Sequence, residues 1–127
     1  GLIVTVTPSR VPLVEADWVG DGATVIAVGS DGPDKQELSS SVLERADKVV
    51  ADRIAQCVEL GEIHHAIRDG VLSRERIHGE LGQIVIGEVA GREGGERIVY
   101  DLTGVGVQDA AIAEAAWRAT CSETPPA

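Results

Sequence analysis

A chain of 127 residues with a formal charge of −10 is long enough for one hydrophobic core. Its negative charge, spread along the whole length, excludes charge-driven binding to nucleic acid or to an anionic membrane. No apolar run approaches the roughly 20 residues that a bilayer crossing needs, and no signal segment opens the chain, so we expect a cytoplasmic protein without a membrane partner.

The chain contains no Met and opens inside a β-branched run, GLIVTVT, which leads us to expect a fragment or a processed chain. Residues 2–7 (LIVTVT), 23–29 (ATVIAVG) and 48–52 (KVVAD) are short, β-branched and bounded by Pro, Gly or Asp, the pattern of strands buried on both faces; 97–102 (RIVYDL) is a fourth candidate. Helical character lies between them, at 39–46 behind a Ser cap, at 53–68 with Gly61 as a weak point, and at 74–86. The Ala-rich 107–120 forms the last helix, and SETPPA behind it should fray. Strands alternating with helical connections predict an α/β fold with a parallel sheet, crossed over in the right-handed sense.

In such sheets ligands gather beyond the carboxyl ends of the strands, where loops converge. Thr7-Pro8-Ser9, residues 28–35 and residues 101–106 should therefore share one rim. In Gly29-Ser30-Asp31-Gly32-Pro33 the glycines let the backbone bend and a flat ligand approach, with Asp31 as an acceptor or proton carrier if its surroundings raise its pKa. Lys35 could meet a phosphate or carboxylate as a point charge. The same residues also fit a plain Asp/Gly/Pro turn with a surface lysine. Thr103-Gly104-Val105-Gly106 holds only G-x-G and is not a dinucleotide fingerprint. His64 and His65, adjacent on a helix, diverge by about 100°, and with Glu62 and His78 they match no metal-ligand spacing; no metal is expected. No G-x-S-x-G elbow supports acyl transfer. Cys57 and Cys121 read as small apolar residues, and Trp18 and Trp117 as packing anchors.

Residues 4–38, 51–67 (ADRIAQCVELGEIHHAI), 79–92 (GELGQIVIGEVAGR) and 98–113 (IVYDLTGVGVQDAAIA) resemble, in this order, the C-terminal portion of the ornithine cyclodeaminase and mu-crystallin family. The blocks VGSDGPDKQEL, GELGQ and DLTGVGVQDAAIA are most similar to its ectoine-utilization branch. The resemblance implies a partial Rossmann-type NAD(P)-binding domain over 1–105 and, over 106–127, a helix and tail returning to a dimerisation domain, in a homodimer. It implies NAD or NADP as cofactor and a small amino or imino acid as substrate, oxidised or reduced at its C–N bond. By position, Asp31 matches the catalytic aspartate, which also binds the substrate amine. Val28, Gly29 and Ser30 match the strand exit at the nicotinamide, Thr7, Lys35 and Leu102 match further cofactor contacts, and Thr103 matches a substrate contact. Where many members carry Phe-Lys-Ser-x-Gly, this chain has Tyr100-Asp101-Leu102-Thr103-Gly104, which moves the expected hydroxyl by one residue. The glycine-rich turn and the residues holding the substrate carboxylate are expected upstream of Gly1. Alternatives within the same reading are a ketimine or pyrroline-carboxylate reductase, and a non-catalytic, self-associating fragment.

Overall fold

The computed structural model describes residues 1–121. Five strands form one parallel sheet in the order β1-β2-β5-β3-β4, with β1 Leu2–Thr5, β2 Thr24–Ala27, β3 Lys48–Ala51, β4 Ile77–Glu80 and β5 Ile98–Asp101. Thr5 pairs with Ala27, Ala27 with Asp101, and Asp101 with Ala51, so the strands at the centre of the sheet end level with one another. The β-branched runs explain the four expected strands, each shorter than its apolar run because residues 6–7 and 28–29 lie past the paired stretch.

Alternation puts Val25, Ala27, Val49, Ala51 and Val99 on one face, where α1 (Ser40–Glu44) and α3 (Glu62–Arg68) cover them. Leu38, Leu43 and Ile63 are wholly buried there, each worth about 1.5–3 kcal/mol of transfer free energy. The opposite face is thinly covered. Lys48 ties the loop around residues 91–96 across it through the Gly91 carbonyl at 2.6 Å and the Glu93 and Glu96 carboxylates. Towards β1 that face is open, with Leu2 66% and Val4 53% exposed.

Residues 53–68 are not one helix. Gly61 adopts φ +91°, a left-handed conformation, and splits the segment into α2 (Ile54–Cys57) and α3. Nor are residues 74–86 helical throughout: a 3-10 turn at Arg74–Arg76 leads into β4, and α4 (Leu81–Val85) begins only afterwards. A reciprocal cap between Glu80 and Gln83 fixes that start. The strand IHGE has one β-branched residue, and its Gly79 admits Val89, which a Cβ would approach to 3.3 Å. α5 (Gly106–Cys121) confirms the last helix, with no buried residue along it; SETPPA lies outside the described residues. Trp18 and Trp117 are 67% and 70% exposed, so neither anchors the packing seen among the described residues. Cys57 is buried as expected, whereas Cys121 is exposed. No described helix is long and apolar enough to cross a membrane.

Candidate functional site at the strand exits

The ladder continues one residue past the paired strands: the Val28 amide donates to Thr5 O at 2.9 Å and the Leu102 amide to Ala27 O at 2.9 Å. The exits of β1, β2 and β5 therefore leave the sheet side by side, which brings Thr7, Val28–Ser30 and Leu102–Thr103 onto one rim. At Gly29 a Cβ would lie 2.1 Å from the Thr7 carbonyl oxygen and 2.5 Å from Glu37 Oε1, so this close crossing admits only glycine.

Buried carboxylates hold the exits. Glu37 is 0% exposed; its Oε2 accepts from the Thr5 hydroxyl at 2.8 Å and the Gly29 amide at 2.8 Å, and its Oε1 from the Thr7 amide at 2.6 Å. Glu62, at the start of α3, accepts from the amides of Glu37 at 2.7 Å and Leu38 at 3.1 Å. Burial pushes Glu62 up to about 7, against the lowering effect of those amides and with the Glu37 charge adding to the rise. Asp101, also fully buried, accepts from the Ile63 amide at 2.8 Å, and burial first, then the nearby Glu62 and Asp52, push it up to about 8. Asp52, past the end of β3, fastens the β5 exit by accepting from the Gly104 amide at 2.8 Å and the Thr103 hydroxyl at 3.1 Å.

Outside this buried set stands an exposed ion pair. Lys35 Nζ meets Asp31 Oδ1 at 2.5 Å, with the Asp31 side chain 57% exposed. The lysine's hydrogen bond, reinforced by its charge, holds the Asp31 carboxyl below the usual aspartate range despite slight desolvation. This corrects the idea that its surroundings raise it: within this chain Asp31 is set as an ionised carboxylate. The turn carrying the pair is pinned from beneath, since the Lys35 carbonyl accepts from the Ser30 hydroxyl at 2.5 Å and from His65 Nε2 at 2.7 Å. That bond puts the His65 proton on Nε2, and burial lowers the His65 pKa.

Thr103 sits at the rim but turns inward, 6% exposed, with its hydroxyl bonded to Asp52 and accepting from Gln56 Nε2 at 2.8 Å. Open clefts of about 480 and 370 Å³ lie further along the rim, the larger between Arg53, Gln56 and the Gly104–Val107 turn and the smaller between Arg53, Glu80 and α4. Neither reaches Asp31. Among the described residues no cluster of His, Cys, Asp and Glu has metal-binding geometry. Sequence reasoning missed Glu37, Glu62, Asp52 and His65 as parts of the site. Asp52 was within reach of the rule that singles out residues at strand exits; Glu37 and Glu62 carry no local signal, because their amide partners lie eight to thirty residues away along the chain.

The family model of the ornithine cyclodeaminase/mu-crystallin family matches residues 1–122. The chain belongs to that family. It is 41% identical over 123 residues to an alanine dehydrogenase of Archaeoglobus fulgidus, covering 96% of this chain and 38% of that enzyme. An archaeal alanine dehydrogenase dimer with bound NAD superposes with a TM-score of 0.86 at 38% identity, over 99% of this chain and 39% of that one. The Delta(1)-pyrroline-2-carboxylate reductase of Thermococcus litoralis, in complex with NADH and L-proline, superposes at 0.83 with 27% identity, over 92% and 36%. The chain thus spans under two fifths of the length of these family members. Its parallel α/β sheet is the Rossmann-type architecture seen in these nicotinamide-bound structures.

Proposed function

We propose that this chain is a C-terminal portion of an NAD(P)-dependent enzyme that oxidises or forms the C–N bond of a small amino or imino acid. One observation carries the reading: in a chain matched to the family over nearly its whole length, level strand exits converge beneath an exposed carboxylate paired with a lysine. The donor set suits a nicotinamide. Val28, 36% exposed, gives an apolar wall at the exit beside Gly29, and Lys35 adds a cation at its edge. Residues 1–105 form part of the cofactor domain in this reading, and 106–127 lead to a dimerisation domain, for which the apolar Val107, Ile112 and Trp117 exposed on α5 are the support. A homodimer in the cytoplasm follows from the same reading.

When bound, the nicotinamide supplies the hydride exchange. The chain's own residues do the rest. Val28 and Gly29 would line the crevice on the nicotinamide's side, with Thr7 and Leu102 flanking; Ser30, expected to join them, is buried and instead holds the turn from inside through its hydroxyl on the Lys35 carbonyl. Asp31, ionised beside Lys35, pairs with the substrate ammonium; displacement of Lys35 and desolvation by the bound ligand then raise its pKa, so that it takes the proton as the C–N bond gains double-bond character and returns it in the reverse direction. Lys35 keeps Asp31 charged until the substrate amine competes for it. The Thr103 hydroxyl faces away from the crevice, so its contact with substrate runs through the main chain.

The blocks at residues 28–38, 79–83 and 101–113 support a narrower place, in the ectoine-utilization branch. A reductase of cyclic imines is the second reading, favoured by the similarity to a reductase that holds NADH and L-proline. Assaying the full-length protein with NAD(P)H against pyrroline and piperideine carboxylates, and with NAD(P)+ against ornithine, alanine and proline, tests the proposal. Turnover of at least one is expected; absence of any nicotinamide fluorescence change on mixing contradicts it and favours a self-associating, non-catalytic chain.

A further inference from the structure

The Glu37 carboxylate lies beneath the rim, touches no position where substrate would sit, and receives hydrogen bonds from both strand exits at once. The geometry points to Glu37 as a positioning residue that sets the spacing between the Thr7 and Val28–Ser30 loops, and through it the seat of the nicotinamide. This deepens the functional reading above and rests on it.

Three donors converge on two oxygens: the Thr5 hydroxyl and Gly29 amide on Oε2, the Thr7 amide on Oε1. A carboxylate is acceptor-only and serves them all, whereas a glutamine must present an N–H to one of the two amides. The Val28 amide on Thr5 O ties the two strand ends and the Gln36 amide on Ser9 O, at 2.9 Å, ties the loops further out; between these two bonds Glu37 joins the exits, at Thr7 and Gly29. They already touch, as the 2.1 Å clearance for a Cβ between Gly29 and the Thr7 carbonyl shows, so they have no room to close and Glu37 keeps them from spreading. The carboxylate is itself held in place. The amides of Glu37 and Leu38 donate to Glu62, and the Glu37 carbonyl accepts from the amides of Leu13 at 2.6 Å and Val14 at 3.1 Å. Main-chain bonds on both sides therefore fix where the side chain starts, and its length fixes where the exits lie.

The test uses the full-length protein labelled with 15N-glycine and 15N-threonine. In the wild type the Gly29 and Thr7 amide protons should resonate downfield and exchange slowly compared with that of Gly32 in the exposed turn; ordinary shifts and fast exchange would overturn the proposal without any variant. Glu37→Gln should move at least one of the two upfield and lower kcat by about 100-fold, the scale of a 1 Å misplacement, with substrate KM changed less than about 3-fold. Thr5→Val, which removes only the hydroxyl donor, should leave both amide signals in place and kcat within about 3-fold of wild type. Equal losses in the two variants, or wild-type kcat in Glu37→Gln, refute a positioning role. A wild-type protein that binds no nicotinamide overturns the functional reading, and the catalytic part of this inference with it; the amide signals then still decide whether Glu37 holds the exits.

Discussion

Asp31 and Glu37 are carboxylates in the same connection after β2, and their surroundings differ in every respect. Glu37 is sealed from solvent and its oxygens are filled by donors from the β1 exit, Thr5 and Thr7, and from Gly29 at the head of its own connection. Asp31 is more than half exposed and meets only a lysine of its own turn. The first arrangement is costly to disturb and chemically silent; the second costs little to disturb and leaves a charged oxygen free to meet a ligand. In the proposed function, stability and reactivity are thus divided within one loop, the buried acid holding the frame and the exposed one meeting the substrate.

The sharpest way to break this contrast is Glu37→Ala. It leaves three donors without acceptors and should lower unfolding free energy by about 3 kcal/mol or more, read as a shift of the urea midpoint. A loss below about 1 kcal/mol would mean that water replaces the carboxylate freely. Gly29→Ala should cost about 1–3 kcal/mol, because its Cβ drives the Thr7 strand exit away.

The buried acids make a third test, in pH. Asp101 held up to about 8 and Glu62 to about 7 stay protonated in the folded chain while ionising near pH 4 in the unfolded one. The folded state then binds more protons between about pH 4 and 8, so stability should fall as pH rises through that window. Asp101→Asn should remove roughly half of the fall between pH 5 and 8 in paired urea titrations; an unchanged slope would show that Asp101 is not its source. The smallest effect belongs to Asp31→Asn, expected to shift stability by no more than about 0.5 kcal/mol, as for other exposed ion pairs.

Much of this contrast was hidden in the sequence. The β-branched runs marked β1, β2, β3 and β5, and the Asp/Gly/Pro content of residues 29–35 marked the turn that carries Asp31, because both signals are local. β4 was not legible: Ile77-His78-Gly79-Glu80 owes its extended form to pairing with β3 and to the Glu80–Gln83 cap behind it. Glu37 looks like any surface glutamate in QEL, since its donors sit some thirty positions upstream and at the next strand exit. The direction of the Asp31 pKa was also out of reach. It depends on whether Lys35, one helical turn's worth of residues away, folds back onto the carboxylate, and the turn pinned by Ser30 and His65 makes it do so.

The central claim is that Asp31 handles the substrate proton while the frame beneath it holds the cofactor. In the full-length protein, turnover and NAD(P)H affinity should be measured side by side for wild type and Asp31→Asn. The account predicts a drop in kcat of about 10²- to 10⁴-fold with cofactor affinity within about 2-fold. Wild-type turnover in the variant, or loss of cofactor binding equal to the loss of turnover, would contradict it.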